Sequence, residues 1–309
     1  MTRRRRPWAA ALFSLVLPGL GQLYAGHPAA AVAAYVAQAG AVALALVLWL
    51  VVPGGPITIL AGAVLAVGTF VAVSIHAWLL AARQPGAFEL RSYNRWYVYL
   101  GVYVVVGVIL GTRLQDGIKR RLEAFLIPSG AMQPTLLIGD YLFVLKTPSA
   151  RTDLEHGTVV VFESVEEAGL KVVKRVVGLP GDTLLMAAGA LHRNGRVLEE
   201  PFVIHTDPSR SEDAVQRARM RAWQVAHNPA LDTASYAPDV QDWGPLVVPP
   251  DSFFALGDNR DASYDSRYVG FIPLSRVLGQ PRVIYLSLAK DTTGSATGVR
   301  WARLGMRVK

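Results

Sequence analysis

The side chain best placed to do chemistry is a lysine. In the run KVVKRVV at 171–177, the alternation of an extended strand sets Val172, Lys174 and Val176 on one face and Val173, Arg175 and Val177 on the other. A lysine acts as a base only when neutral, and an apolar setting lowers its pKa by penalising the charged form. The valines flanking Lys174 on its own face supply such a setting. From this run alone, the competing reading is a half-exposed strand lysine whose ammonium reaches water. Histidine-based hydrolysis has little support. His27, His76, His156, His192, His205 and His227 are scattered, without a His-Glu-x-x-His pattern or a clustered carboxylate partner, and read as surface or packing residues. The Asp-rich run 258–265 lacks the alternating ligands and central glycine of a calcium loop. With no cysteine there is no thiol nucleophile, disulfide or Cys-ligated zinc. Neither a metal nor a cofactor is expected.

Lys174 sits in a region of short alternating or β-branched runs separated by Gly, Pro and Asp, at 141–145, 158–162, 172–177, 253–256 and 282–286. This pattern, which begins near Leu122, predicts an antiparallel, mainly β domain over 113–309. Within it, residues 206–243 are charged and lack strand alternation; they read as an insertion, with 212–226 its best helix.

The preceding residues belong in a membrane. No Asp, Glu, Lys or Arg occurs from Pro7 to Ala82, far more than the ~20 residues that cross a hydrocarbon core. Runs at 29–52 and 57–82, joined by an uncharged Pro-Gly-Gly-Pro turn at 53–56, predict a helical hairpin, and 96–112 predicts a third span opening with Trp96, Tyr97 and Tyr99. The first run, 8–24, is broken by Pro18-Gly19-Leu20-Gly21 and reads as a bent interfacial or re-entrant helix or, less favoured, as a signal-peptide core. Residues 1–112 thus form a membrane domain of about three spans.

The charge balance supports this division. Seven arginines stand against Glu89 in 1–112, whereas the other 197 residues hold 24 basic and 22 acidic side chains. Most of the net +8 therefore flanks apolar runs, where it reads as a topology signal and not as a nucleic-acid surface. Basic residues 3–6 and 83–95 should lie in the cytoplasm, which with three spans leaves the β domain on the outer, periplasmic face. Counting 8–24 as a span would reverse this.

Four motifs carry a family resemblance: IPSGAMQPTLLIGD at 127–140, GTVVVF at 157–162, KRVVGLPGD at 174–182 and GDNRDASYDSRYVGFIP at 257–273. In this order, across about 150 residues, they resemble the bacterial type I signal peptidases, membrane-bound Ser-Lys endopeptidases that remove signal peptides. The tail, with Arg300, Arg303 and Gly305, is similar to the carboxy terminus of proteobacterial members. The resemblance implies Lys174 as general base, Ser263 as the residue orienting its amine and Ser129 as an oxyanion-hole hydroxyl. It implies a bracing network of Asp258, Arg260, Asp265 and Arg267 with Arg175, and turn roles for Gly178, Pro180 and Gly181; taken alone, these residues read as structural.

One position departs from the family's pattern. The motif has Ser-Gly-Ser-Met with the second serine as nucleophile, and this chain has Ala131 there, which has no oxygen to attack with. Three accounts stay open: a deliberate Ser-to-Ala replacement made to prevent cleavage, a naturally non-catalytic paralogue, and a natural variant that uses Ser129 as nucleophile. The resulting expectation is an inner-membrane, multi-pass, signal-peptidase-like serine endopeptidase. It would act after small residues (Ala-x-Ala) in preprotein signal peptides and be impaired by Ala131. The alternative is a non-catalytic membrane protein that binds signal peptides or a partner protease. The phospholipid membrane is an expected partner and nucleic acid is not; oligomeric state is not legible. Apolar residues Phe125, Leu126, Ile127, Leu137 and Ile138 fit either a substrate groove, a membrane contact or ordinary core.

Overall fold

A computed structural model describes residues 2–3, 5–52, 55–84, 88–89, 91–147, 150, 153–206, 213–228, 230–231, 234–291 and 294–309. The chain divides into two compact units, residues 1–120 with 304–306 and residues 121–303 with 307–309.

The first unit is helical: α1 (Pro7–Val16), α2 (Leu20–Tyr24), α3 (Pro28–Val51), α4 (Gly55–Ala82) and the start of α5 (Trp96–Arg121), whose middle, Tyr103–Leu110, is π-helical. Segments Pro28–Trp49, Gly55–Ala82 and Trp96–Arg121 are each long and apolar enough to cross a membrane, as expected from hydropathy. Residues 53–54 of the expected turn lie outside the described residues. The last helix continues past Thr112 to Arg121, because the added residues include Leu, Gln, Lys and Arg, which favour helix, and no proline.

Residues 8–24 form two short helices joined by a sharp reversal. Ten-residue α1 rises only ~15 Å, about half a hydrocarbon core. The chain then reverses at Gly19 (φ 100°), and α2 brings the Tyr24 hydroxyl back to accept a hydrogen bond from Arg6 N at 3.2 Å. Close packing explains the second glycine: a Cβ on Gly21 would stand 2.0 Å from Ala10 O and 2.8 Å from Ala77 Cβ. Inside the turn, Ser14 Oγ donates to Gln22 Oε1 (3.1 Å) and Gln22 Nε2 donates to Val73 O (2.8 Å), so the buried amide is satisfied. Gly21→Ala is expected to destabilise the full chain by about 2 kcal/mol through overpacking. Gly40→Ala, where a Cβ meets nothing within 4 Å, should be neutral or stabilising. Thermal unfolding in detergent reads both, and equal midpoints would remove the packing argument.

The second unit is built on strands β1 (Leu122–Leu126), β2 (Asp140–Leu145), β3 (Val159–Glu163), β4 (Lys171–Gly178), β5 (Thr183–Ala187), β6 (Ala190–Arg193), β7 (Arg196–Val197), β8 (Trp243–Val247), β9 (Ser252–Leu256), β10 (Ile272–Pro273), β11 (Val277–Lys290) and β12 (Ala296–Val299), with helices α6 (Ala214–His227) and α7 (Ser266–Val269). The larger sheet runs β10-β9-β4-β3-β11-β2-β1, with β12 also on β11, and the smaller runs β8-β5-β6-β7. All these pairings are antiparallel. Every expected strand is present.

The helix expected at 212–226 forms as Ala214–His227, N-capped by Asp213, whose side chain accepts from Val215 N; Glu212 lies outside the described residues. The smaller sheet was not anticipated. Residues 183–197 make hairpins through Ala188-Gly189 and Asn194-Gly195, all four at positive φ, and Trp243–Val247 closes the sheet beyond the insertion. It shares a core with α6 and β9 through Leu184, Met186, Met220, Trp243 and Phe254. Ile127 belongs to a second core with Leu142 and Val161, whereas Leu126 is exposed.

Candidate active site

Lys174 lies mid-strand on β4, directly across from Val160 of β3. Strand alternation places it on the face whose core holds Val160, Phe162 and Val176, with Val172 packed alongside. Only 4% of it is exposed, and its ammonium makes no hydrogen bond or ion pair among the described residues. Burial pushes its pKa from 10.5 down to about 8; Arg267 adds to the shift, while Asp265 and Asp258 oppose it. It opens into a pocket of about 280 Å³ walled by Phe162, Val165, Leu170, Val172 and Ile272, with Tyr264 also in the lining.

Beyond the end of β9, Gly257 is the point over which the other candidates meet. A Cβ there would stand 2.3 Å from Ser263 Oγ and 2.6 Å from Ala131 O, so no larger residue fits. Asn259 fixes the neighbouring loop, its backbone N–H donating to Ala131 O (3.1 Å) and its Nδ2 to Gly130 O (3.3 Å). Ala131 and Ser263 are thereby brought together, both buried, whereas Ser129 is exposed. Ser263 Oγ is buried without a well-formed hydrogen bond, yet it faces the Asp265 carboxylate closely enough to help stabilise it.

Two buried ion pairs frame this cluster. Arg175 forks onto Asp258, Nε to Oδ1 and Nη2 to Oδ2, both 2.7 Å, and the Thr135 hydroxyl also donates to Asp258. Arg267 forks onto Asp265 at 2.8 and 2.9 Å, and its Nη2 donates to Arg260 O at 2.7 Å. Burial alone would raise the Asp265 carboxyl, but Arg267, with help from Lys174, holds it below its ordinary value. Arg260 pairs instead with Glu200 (2.7 Å) and donates from Nε to Gly257 O. At the turns, Gly181 takes φ 87°, whereas Gly178 lies within β4, where a Cβ would stand 2.6 Å from Leu184 Cδ1.

Arg267→Met should cost about 3–5 kcal/mol, because it leaves Asp265 charged, buried and unpaired. The double change Arg267→Met, Asp265→Asn should cost less than the single one. Denaturant unfolding of the full chain measures both, and a double variant less stable than the single would contradict this account.

Two histidines do have carboxylate partners, which their scattered spacing conceals. His156 Nε2 lies 2.6 Å from Asp182 Oδ2, and His205 Nδ1 lies 2.8 Å from Asp261 Oδ1. Neither histidine lines the Lys174 pocket. Gly257, Asn259 and Thr135 fall inside the sequence motifs, but their contacts could not be read there. Glu200 carries no sequence signal at all. In the tail, Arg303 donates to both Asp140 carboxylate oxygens, and Arg300 Nη1 donates to Ile138 O.

Comparison with known proteins follows the same residues. The model of the family described as signal peptidase, peptidase S26, matches residues 96–286. A probable signal peptidase I-2 from Synechocystis sp. is 32% identical over 192 residues, covering 60% of this chain and 72% of its own. A signal peptidase I from Bacillus licheniformis is 29% identical over 183 residues, covering 59% and 84% respectively. A crystal structure of a signal peptidase I from Enterococcus faecalis is 26% identical, covers 41% of this chain and 95% of its own, and gives a TM-score of 0.28.

Proposed function

The chain belongs to the signal peptidase family, peptidase S26, and on that footing we propose that its β unit binds the cleavage region of exported preproteins at the Lys174 site but cuts it poorly, because Ala131 replaces the attacking serine. The observation that carries this reading is Lys174 itself, a buried amine with no ion pair among the described residues, its pKa lowered by burial to about 8. Roughly a tenth of such amines are neutral at pH 7, whereas almost none of an ordinary lysine is. Arg267 and Asp265 hold the surroundings of this amine in place.

With a serine at 131, the chemistry is complete. Neutral Lys174 takes the hydroxyl proton as the oxygen attacks the scissile carbonyl. The lysine then gives that proton to the departing amine, and a water, deprotonated by the same lysine, hydrolyses the acyl-enzyme. Ser263 orients the lysine amine, and the N–H of residue 131 and the Ser129 hydroxyl stabilise the oxyanion. Small residues before the scissile bond, as in Ala-x-Ala, are the substrate class. The helices carry the chain through the inner membrane three times, with the basic amino-terminal end in the cytoplasm and the β unit outside.

The test is to incubate the purified full chain with a preprotein whose signal ends in Ala-x-Ala. The expected result is a saturable complex with no product. Cleavage by the chain as it stands would move the nucleophile to Ser129, and no complex at all would sink the proposal.

A further inference from the structure

At the amino-terminal end of the helical unit, Arg5, Arg6, Trp8, Tyr24, Trp96 and Tyr99 help line an open pocket of about 1120 Å³. Arg5 is buried, 8% exposed, with its guanidinium 4.4 Å from the centre of the Tyr24 ring. Arg6 is exposed, its guanidinium 6.0 Å from the Trp8 ring. The aromatic wall is fixed from behind: Asn94 Nδ2 donates to Leu23 O (3.1 Å) and to the Tyr99 hydroxyl (3.0 Å), and the Phe13, Tyr24 and Tyr99 rings pack together. Trp8 and Trp96 are 60% and 74% exposed.

Among the described residues that line this pocket none is acidic; of the two acidic residues in 1–120, Glu89 pairs with Thr2 in a short antiparallel ladder and Asp116 lies near the far end of α5. Helix α1 begins at Pro7, within the lining, and a helix amino terminus favours an anion. Two arginines, with no acidic side chain among the described lining residues, match a phosphate, which a guanidinium recognises through paired donors. The occupant's source follows from the walls. Exposed tryptophans at the first turns of apolar helices suit headgroup depth, where the indole is half in hydrocarbon and half in water. A soluble anion would leave these rings in water.

We propose that this pocket binds the phosphodiester headgroup of an anionic glycerophospholipid, phosphatidylglycerol or cardiolipin. The site is built from the helical unit alone and does not depend on the reading of Lys174.

Native mass spectrometry of the full chain, released from micelles with added phosphatidylglycerol or phosphatidylcholine, tests it. Retention of phosphatidylglycerol over phosphatidylcholine is expected. Arg6→Gln should weaken it about fivefold, and Arg5→Gln with Arg6→Gln by about the square of that factor. Arg6 is exposed, so its variant reports even where loss of Arg5 prevents folding. Inorganic phosphate at equal concentration should not displace the lipid. Equal retention of phosphatidylcholine, unchanged affinity in Arg6→Gln, or displacement by phosphate, which marks a soluble-anion site, would each overturn the proposal.

Discussion

Ala131→Ser is expected to turn a chain that binds an Ala-x-Ala preprotein without product into one that cleaves it, with a gain in turnover of up to on the order of 10⁶. The rest of the site does not have to be rebuilt. Ala131 O is already held by Asn259 N, Ser263 abuts Gly257 beside it, and both flanking ion pairs are in place. The restored activity should climb as pH rises towards about 8 and level off above it, because the neutral amine of Lys174 is the reactive form. Ser129→Ala in this background should cost about 10²–10³, the effect of losing one oxyanion donor. Steady-state rates against pH measure all three. A folded Ala131→Ser protein that binds but never cuts would show that the cleft serves only to bind.

The second large effect is on stability. Lys174→Met should stabilise the chain at pH 7 by about 3 kcal/mol while abolishing cleavage in the Ala131→Ser background. The sign follows from proton counting. The unfolded lysine titrates near 10.5 and the folded one at about 8, so between these values the unfolded state holds more protons and stability rises with pH. Below about 8 both states are protonated, and the folded state bears the whole cost of a buried ammonium. Methionine has similar length and no charge, so unfolding free energy should be higher at pH 7 and flatter from 8 to 10.5. Denaturant titrations at several pH values decide this; a Met variant no more stable than the parent would mean that Lys174 is better solvated than its burial indicates.

The alternation of KVVKRVV was enough to put Lys174 among valines, because a half-buried strand has a strict period of two. Its electrostatic surroundings were not legible from spacing. Arg175 and Asp258 are 83 residues apart, and only the resemblance suggested that they meet. Arg260 looks equivalent to its neighbours in the motif, yet it turns to Glu200, a contact that depends on where the 198–206 segment crosses the loop. In the helical unit, Pro18-Gly19-Leu20-Gly21 was readable as a break. Its geometry was not, since that depends on the contact of Gly21 with Ala10 O. The smaller sheet did leave a signal in Asn194-Gly195, a dipeptide suited to tight hairpins, but the flanking strands are too short to show clear alternation.

The short α1–α2 reversal has a consequence for the bilayer. On the proposed topology, α3, α4 and α5 would take up lateral area in both leaflets, whereas ten-residue α1 and five-residue α2 would take it up in one. Each helix is ~10 Å across, so the added cross-sections would then load one leaflet more than the other. Such an imbalance would relieve lateral stress in a leaflet that curves outward around it and increase stress in a flat one. On that topology, the same two glycines that let the chain double back would also set the local membrane curvature in which the unit is most at ease.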